Sequence, residues 1–221
     1  MTVSDVSVQA SERDDRREAR KRERHAERRR LIMQSARSLL VHQGIENFTV
    51  AQVAAVASVS KPAVYYYFDS KEDLVCELSF EVLTAEHQRL ERAVGDAESE
   101  IDALVRLVRT RIDFYMEDRD SFRILHVWGP VLGLQPRIEA SPQYAALRAL
   151  LSKVGERLNE VKHPNRASTR VDVSKLPELG WALSQGIISA MAVGPSREGD
   201  SQRAQELRDS ACRWLLDSLA E

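Results

Sequence analysis

Lys61, Tyr65, Tyr66, Tyr67 and Lys71 crowd into the stretch "SKPAVYYYFDSK" (60–71), in a chain that is only 6% aromatic. A tyrosine offers a flat face to a sugar or a thymine methyl and a hydroxyl to a phosphate, and a lysine offers a mobile positive charge. Residues 16–30, "RREARKRERHAERRR", add nine Arg or Lys against three Glu, a net of +6. The chain as a whole carries −2, so the remainder sums to −8 and the overall charge conceals a basic segment on an acidic body. These are residue types that contact nucleic acid. The same run also describes a solvated helix face, and the tyrosines could equally pack on another part of the chain.

Other chemistries find little support. There is no glycine-rich phosphate loop, no nucleophile elbow and no His-Glu-x-x-His helix. His87 has Glu86 beside it and Glu91 one turn on, yet the five histidines are scattered and make no metal set, and paired Glu-x-x-His motifs of an iron carboxylate bundle are missing. Cys76 and Cys212 lie far apart in helical patterns and read as buried thiols, not as a disulfide framework. The expectation is a protein that is not an enzyme and needs neither metal nor cofactor. No apolar run reaches the roughly 18 residues of a membrane span, and the N-terminus has no apolar core of a secretory signal, so the expected location is the cytoplasm.

Helices must position these residues, because no stretch shows sustained strand alternation. Residues 1–12 are polar and patternless and are expected to lack structure. From Arg16 helix formers continue without Gly or Pro to Gly44, with an apolar stripe through Leu31, Ile32, Ala36, Leu39 and Leu40. Thr49 with Gln52 forms a capping box for a second helix. Ser60 caps a third, very short one with Pro62 in its first turn, and Ser70 with Asp73 starts a fourth. Longer helices are expected at 71–93, 99–118, 120–132, 141–161, 174–193 and 200–220, with breaks at Gly95, 129–136, 162–172 and 194–200. The chain reads as all-α, with a small unit of short helices ahead of a larger bundle. Within the small unit Val64 and Phe68 share a buried face. Tyr65, Tyr66 and Tyr67 stand about 100° apart around a helix, so they cannot all be buried with them. A helix, a short turn and a brief second helix suit insertion into a DNA major groove.

Residues 31–78 resemble the DNA-binding domain of the TetR family of transcriptional regulators. The resemblance rests on Ala36, Leu39, Gly44, Phe48-Thr49, Val53-Ala54, Ala57, Val59-Ser60, Val64-Tyr65, Tyr67-Phe68 and Lys71-Glu72-Asp73-Leu74. Pro62 departs from the small residue frequent there, and the basic N-terminus is longer than the family minimum. The resemblance implies a basic N-terminal extension (1–30), a helix-turn-helix DNA-binding domain (31–74) and a ligand-binding and dimerisation domain (75–221). It implies a homodimer on a roughly palindromic stretch of double-stranded operator DNA. Thr49, Lys61, Tyr67 and Lys71 would lie near phosphates, and Gln52, Ser60, Ala63, Tyr65 and Tyr66 nearer base edges or sugars. Arg28, Arg29 and Arg30, at the end of the basic run, could enter the adjacent minor groove or follow the backbone. A solvated extension is the alternative.

For the larger domain the resemblance implies a small-molecule effector, unidentified, and a dimer interface on the last two helices. Leu183, Gly186, Ile187, Ala190, Met191, Leu207, Ala211, Trp214 and Leu215 could pair across a two-fold axis, or simply fill the chain's own core. Candidate effector contacts are Tyr115, Met116, Phe122, Arg123, His126, Trp128 and Trp181. His126 is either a polar anchor or a satisfied core residue, and Arg123 either meets an acidic ligand or pairs with Asp120 or Glu117. The resulting expectation is a ligand-responsive dimeric repressor. Its rivals are a DNA-binding dimer without an effector and a helical adaptor whose N-terminal unit binds a protein.

Overall fold

The computed structural model describes residues 3–160, 172–192 and 199–220, all of whose regular structure is helical. The breaks expected at 162–172 and 194–200 fall mostly outside the described residues. Two compact units are present, Met1–Leu74 and Val75–Glu221.

The first unit holds α1 (Val3–Asn47), α2 (Val50–Val56), α3 (Lys61–Tyr65) and the first turn of α4 (Lys71–Gly95). Ile32, Ala36 and Leu40 of α1 are buried with Phe48, Val53, Val64, Phe68 and Leu74 in a small apolar core. Gly44 breaks α1 at φ +73, a left-handed conformation that glycine adopts without a Cβ clash. At the other end the expectation of no structure over 1–12 is corrected, since α1 runs back to Val3. Nothing before Gly44 interrupts it with Gly or Pro, and a helix already nucleated extends at little cost.

α2 begins with the expected reciprocal capping box: Gln52 N–H donates to Thr49 Oγ1 at 3.3 Å and Thr49 N–H donates to Gln52 Oε1 at 3.0 Å. It ends in a Schellman motif, with Val59 N–H donating to the Ala54 carbonyl (2.9 Å) and Ser58 N–H to that of Ala55 (3.2 Å). Ser58 takes the left-handed position at φ 53, where glycine is usual. Ser60 Oγ then accepts from Ala63 N–H and starts α3. Ser70 Oγ caps α4 through Asp73 N–H, but the Asp73 carboxylate returns to Asp69 N–H rather than closing a box on Ser70.

In the second unit α5 (Glu100–Glu117) is packed by α9 (Pro142–Glu160), α10 (Leu176–Ala192) and α11 (Asp200–Ala220). α10 approaches α5 closely at Gly180, where a Cβ would stand 2.7 Å from Val108 Cγ2. The expected helix at 120–132 is interrupted: α6 (Arg119–Phe122) passes into a π-helical turn at Arg123–Trp128 and then α7 (Gly129–Val131). A further short helix, α8 (Gln135–Glu139), occupies the end of the stretch read as a break, with Pro136 in its first turn, where a missing N–H costs nothing. Cys76 and Cys212 are buried thiols outside any disulfide, as their helical settings suggest. Among the described residues no helix is long and apolar enough to cross a membrane.

Candidate functional site: a nucleic-acid head and a buried polar centre

The short α3 sorts its aromatics by helical position. Val64 and Phe68 are buried, whereas Tyr65 is 44% and Tyr66 74% exposed and Tyr67 is half-buried. Lys61 reaches along α3 to place its ammonium 5.9 Å from the Tyr65 ring centroid. Thr49, Ser60 and Lys61 are also exposed, with Gln52 and Ala63 partly so. Thr49 and Gln52 already serve the cap of α2, and Gln52 Nε2 also donates to Gln43 Oε1 at 3.0 Å. Lys71 acts partly as an internal latch: its ammonium donates to the Ile45 carbonyl at 2.7 Å, satisfying an orphan acceptor beyond the break in α1.

The three arginines singled out at 28–30 have different surroundings. Arg30 makes a two-pronged ion pair with Glu27 (2.6 and 2.9 Å), which raises the arginine's pKa and lowers the glutamate's. Arg29 lies over the Phe68 ring, 5.2 Å from its centroid. Arg28 is exposed and, with Arg24, Glu27, Leu31, Ala57 and Ser58, lines a groove of about 350 Å³ beside the turn that precedes α3.

At the centre of the second unit lies a polar network that is almost wholly enclosed. Arg111 of α5, with no exposed surface, donates from Nε to Glu86 Oε1 (3.0 Å), from Nη1 to Ser184 Oγ (2.8 Å) and from Nη2 to Gln185 Oε1 (2.5 Å). Its guanidinium sits 3.8 Å from the Trp181 ring centroid. The Tyr115 hydroxyl donates to the other Glu86 oxygen at 2.8 Å and lies 3.2 Å from His126 Nε2. With the Tyr115 proton committed to Glu86, His126 Nε2 serves as donor to the phenol oxygen. Burial raises the pKa of Glu86 against the pull of Arg111, and burial plus Glu86 raises that of Tyr115. Burial and then Arg111 lower His126 to about 3, leaving a neutral imidazole at pH 7.

Residues 32–78 match the family model for "Bacterial regulatory proteins, tetR family". The regulator TtgR of Pseudomonas putida is 33% identical over 85 residues, which cover 38% of this chain and 40% of TtgR. The repressor AcnR of Corynebacterium jeikeium is 23% identical over 193 residues, 85% of this chain and 93% of AcnR. Residues 32–78 are a domain of the TetR type, and the chain is similar to TetR family regulators beyond it. In agreement, the crystal structure of the TetR family regulator PfmR from Thermus thermophilus superposes on 82% of the chain with a TM-score of 0.56 at 23% identity and covers 97% of PfmR, a likeness of fold. TetR family members are regulators, not enzymes.

Among the described residues of this chain the seven effector candidates do not form one cavity. Tyr115 and Phe122 are buried in the centre and His126 and Trp181 are half-buried beside it, with Phe122 edge-on to Tyr115 and 4.9 Å from the His126 ring. Arg123 pairs with Asp120 at 3.5 Å, the surface alternative named from sequence. Met116 instead lines a polar cleft of about 350 Å³ with Ile112, Asp113, Arg119 and Arg208, and Trp128 is half-buried on the π-helical turn.

The interface candidates also divide. Leu183, Ile187, Leu207, Ala211 and Trp214, joined by Leu179 and Ser210, line a shallow apolar depression of about 430 Å³ on α10 and α11. Gly186 and Ala190 are exposed on α10. Leu215 and Met191 are corrected: at 0% and 5% exposure they fill the protomer's own core, because they lie on the inward stripe of their helices. Glu86, Arg111, Ser184 and Gln185 were missed as site residues. A signal for two of them existed: Arg111 falls on the apolar stripe of Leu104, Leu107, Val108 and Tyr115, and Glu86 on that of Val82, Leu83 and Leu90.

Proposed function

We propose that the protein is a ligand-responsive dimeric repressor that binds a palindromic operator through its N-terminal units. The observation that carries this reading is the exposed Tyr65–Tyr66 pair, with Lys61, at the end and C-cap of a five-residue helix held by a buried Val64 and Phe68. Flat apolar rings and hydroxyls presented from a rigid base suit thymine methyls, sugars and phosphates. Tyr65, Tyr66, Ser60, Ala63 and Gln52 face base edges or sugars in this reading, and Thr49, Lys61, Tyr67 and Lys71 lie toward phosphates. Two such heads read half-sites about 34–36 Å apart when these are one helical turn apart.

Dimerisation is assigned to the apolar depression on α10 and α11. Gly186 supports it: an exposed helical glycine costs about 1 kcal/mol relative to alanine, and in this chain a Cβ there would meet nothing within 4 Å. Close approach of a partner helix accounts for a glycine that the chain's own packing does not require. Repression follows the similarity to AcnR, a transcriptional repressor. The small-molecule effector is assigned to the Met116 cleft, which Ile112, Asp113, Arg119 and Arg208 also line. A second reading, a DNA-binding dimer without effector, is favoured by the completed hydrogen bonding of that centre.

In vitro selection from random duplex DNA with the purified full chain tests the proposal. The expected result is an inverted repeat, bound much more tightly than scrambled DNA and weakened by Tyr66→Ala in a variant that remains folded. No enrichment, with Tyr65→Ala/Tyr66→Ala disrupting a protein complex instead, is the result that favours a protein-binding adaptor.

A further inference from the structure

The basic segment is not a flexible arm. Residues 16–30 are a continuous part of α1, so helical register decides which charges share a face. At about 100° per residue, Arg17, Arg20, Lys21, Arg24 and Arg28 fall within an arc of roughly 100°. All five are exposed. The acidic residues of the segment lie outside this arc, and two of them are neutralised locally: Glu18 by Arg22 at 3.3 Å and Glu27 by Arg30 at 2.6 Å.

Two contacts fix this helix on the DNA-reading unit. The His25 ring lies 4.6 Å from that of Tyr67 and 5.8 Å from that of Tyr66, centroid to centroid. On the neighbouring face Arg24 and Arg28 line the groove beside Ala57 and Ser58, the turn immediately before α3. The basic arc is therefore continuous with the elements that present Tyr65 and Tyr66. Its form also limits what it can touch: an α-helix about 10–12 Å across with its side chains does not fit a minor groove about 6 Å wide.

We propose that the N-terminal half of α1 is a rigid phosphate-binding helix, with Arg17, Arg20, Lys21, Arg24 and Arg28 contacting the duplex backbone beside the half-site. This rests on the DNA-binding reading given above. Of the two contacts named from sequence it takes the backbone in place of the minor groove, and it removes Arg29 and Arg30, engaged by Phe68 and Glu27, from the direct contacts. The phosphate contacts carry affinity and salt dependence but no sequence preference.

The test compares charge-matched positions on two faces of one helix. The full chain, its Arg24→Gln and Arg22→Gln variants and the double variant Arg20→Gln/Arg24→Gln are titrated with the selected operator at several salt concentrations. Removing one arginine–phosphate pair lowers the slope of log affinity against log salt by about 0.9. Arg24→Gln is expected to lower it by that amount per bound subunit, and the double variant by about 1.8, a change of about 12-fold in the affinity ratio between 50 and 200 mM salt. Arg22→Gln, with the same charge change on the other face, leaves the slope unchanged, and the selected sequence stays the same throughout. Equal losses from Arg22→Gln and Arg24→Gln overturn the proposal in favour of a flexible arm or long-range attraction. No loss from the double variant overturns it as well, while the unaltered chain still selecting an operator leaves the DNA-binding reading intact. A chain that selects no sequence at all overturns both.

Discussion

His126 sits where a proton is poorly accommodated, and this gives the second unit a calculable dependence on pH. Loss of hydration around the ring, first, and the nearby Arg111 charge, second, disfavour the imidazolium, whose Nε2 is already engaged by the Tyr115 hydroxyl. The ring takes up a proton near 6.5 in the unfolded chain but only at about 3 in the fold. A base with a depressed folded pKa contributes stability that is present above the unfolded value and lost as pH falls toward the folded one. Worked through linkage, His126 removes about 2 kcal/mol between pH 7 and pH 5 and about 3 by pH 4. Glu86, whose folded pKa is raised, acts in the opposite sense: its contribution is present below 4.5 and lost as pH rises through its folded value. The comparison must therefore be made against a variant that lacks only the histidine. His126→Phe preserves the ring contacts with Tyr115 and Phe122 and cannot titrate. Urea unfolding at pH 7, 6 and 5, at one protein concentration and followed by tryptophan fluorescence, should show the wild type losing about 2 kcal/mol more than the variant. Parallel losses in the two proteins would falsify the assignment of a buried neutral imidazole.

Packing and charge set three further outcomes. Arg111→Met strands the Glu86 carboxylate and is expected to cost about 3–5 kcal/mol. Arg111→Met/Glu86→Leu should recover at least half of that loss, as read by chemical denaturation. Ser58→Gly relieves a left-handed serine at the end of α2 and should change stability by about 0 to +1 kcal/mol, the steric relief of about 1–2 being partly cancelled by the entropy of glycine; a clear loss in thermal unfolding would mean the Ser58 side chain has a role of its own. Gly180→Ala forces a methyl to within 2.7 Å of Val108 Cγ2 and should destabilise by about 1–3 kcal/mol in the same assay.

The head was legible because its determinants are local. A capping box spans Thr49 to Gln52, a cap and a proline start α3, and Val64 with Phe68 on one face leaves Tyr65 and Tyr66 exposed. Each of these needs only a few neighbours in sequence. The N-terminal extension was half legible: its charge could be counted, but its register could not be used until it was known to be helical. Its beginning at Val3 was misjudged because polar residues without an apolar stripe carry no periodic signal. In the second unit the long helices were legible, but the broken stretch at 119–139 and the helices' partners were not. Arg111 meets Ser184 and Gln185 across more than seventy residues, and no pattern within α5 names them.

That separation shows what the buried centre does for the fold. Apolar stripes on α5 and α10 would tolerate sliding by a turn, because one leucine replaces another at modest cost. A guanidinium with no exposed surface tolerates no such slip, since its five N–H groups need acceptors at fixed directions and its charge needs Glu86. Arg111 therefore ties α5 to α10 through Ser184 and Gln185 and to α4 through Glu86. The π-helical turn at Arg123–Trp128 fits the same constraint. An inserted residue rotates the helix downstream of it, and His126 lies within this turn, at the phenol that completes the network. A molecule that bound at the Met116 cleft could influence this unit by favouring one arrangement of these hydrogen bonds over another, and its leverage could not exceed the difference in its affinity for the two. A displacement of α5 therefore has to break or rearrange the hydrogen bonds that Arg111 makes to Glu86, Ser184 and Gln185.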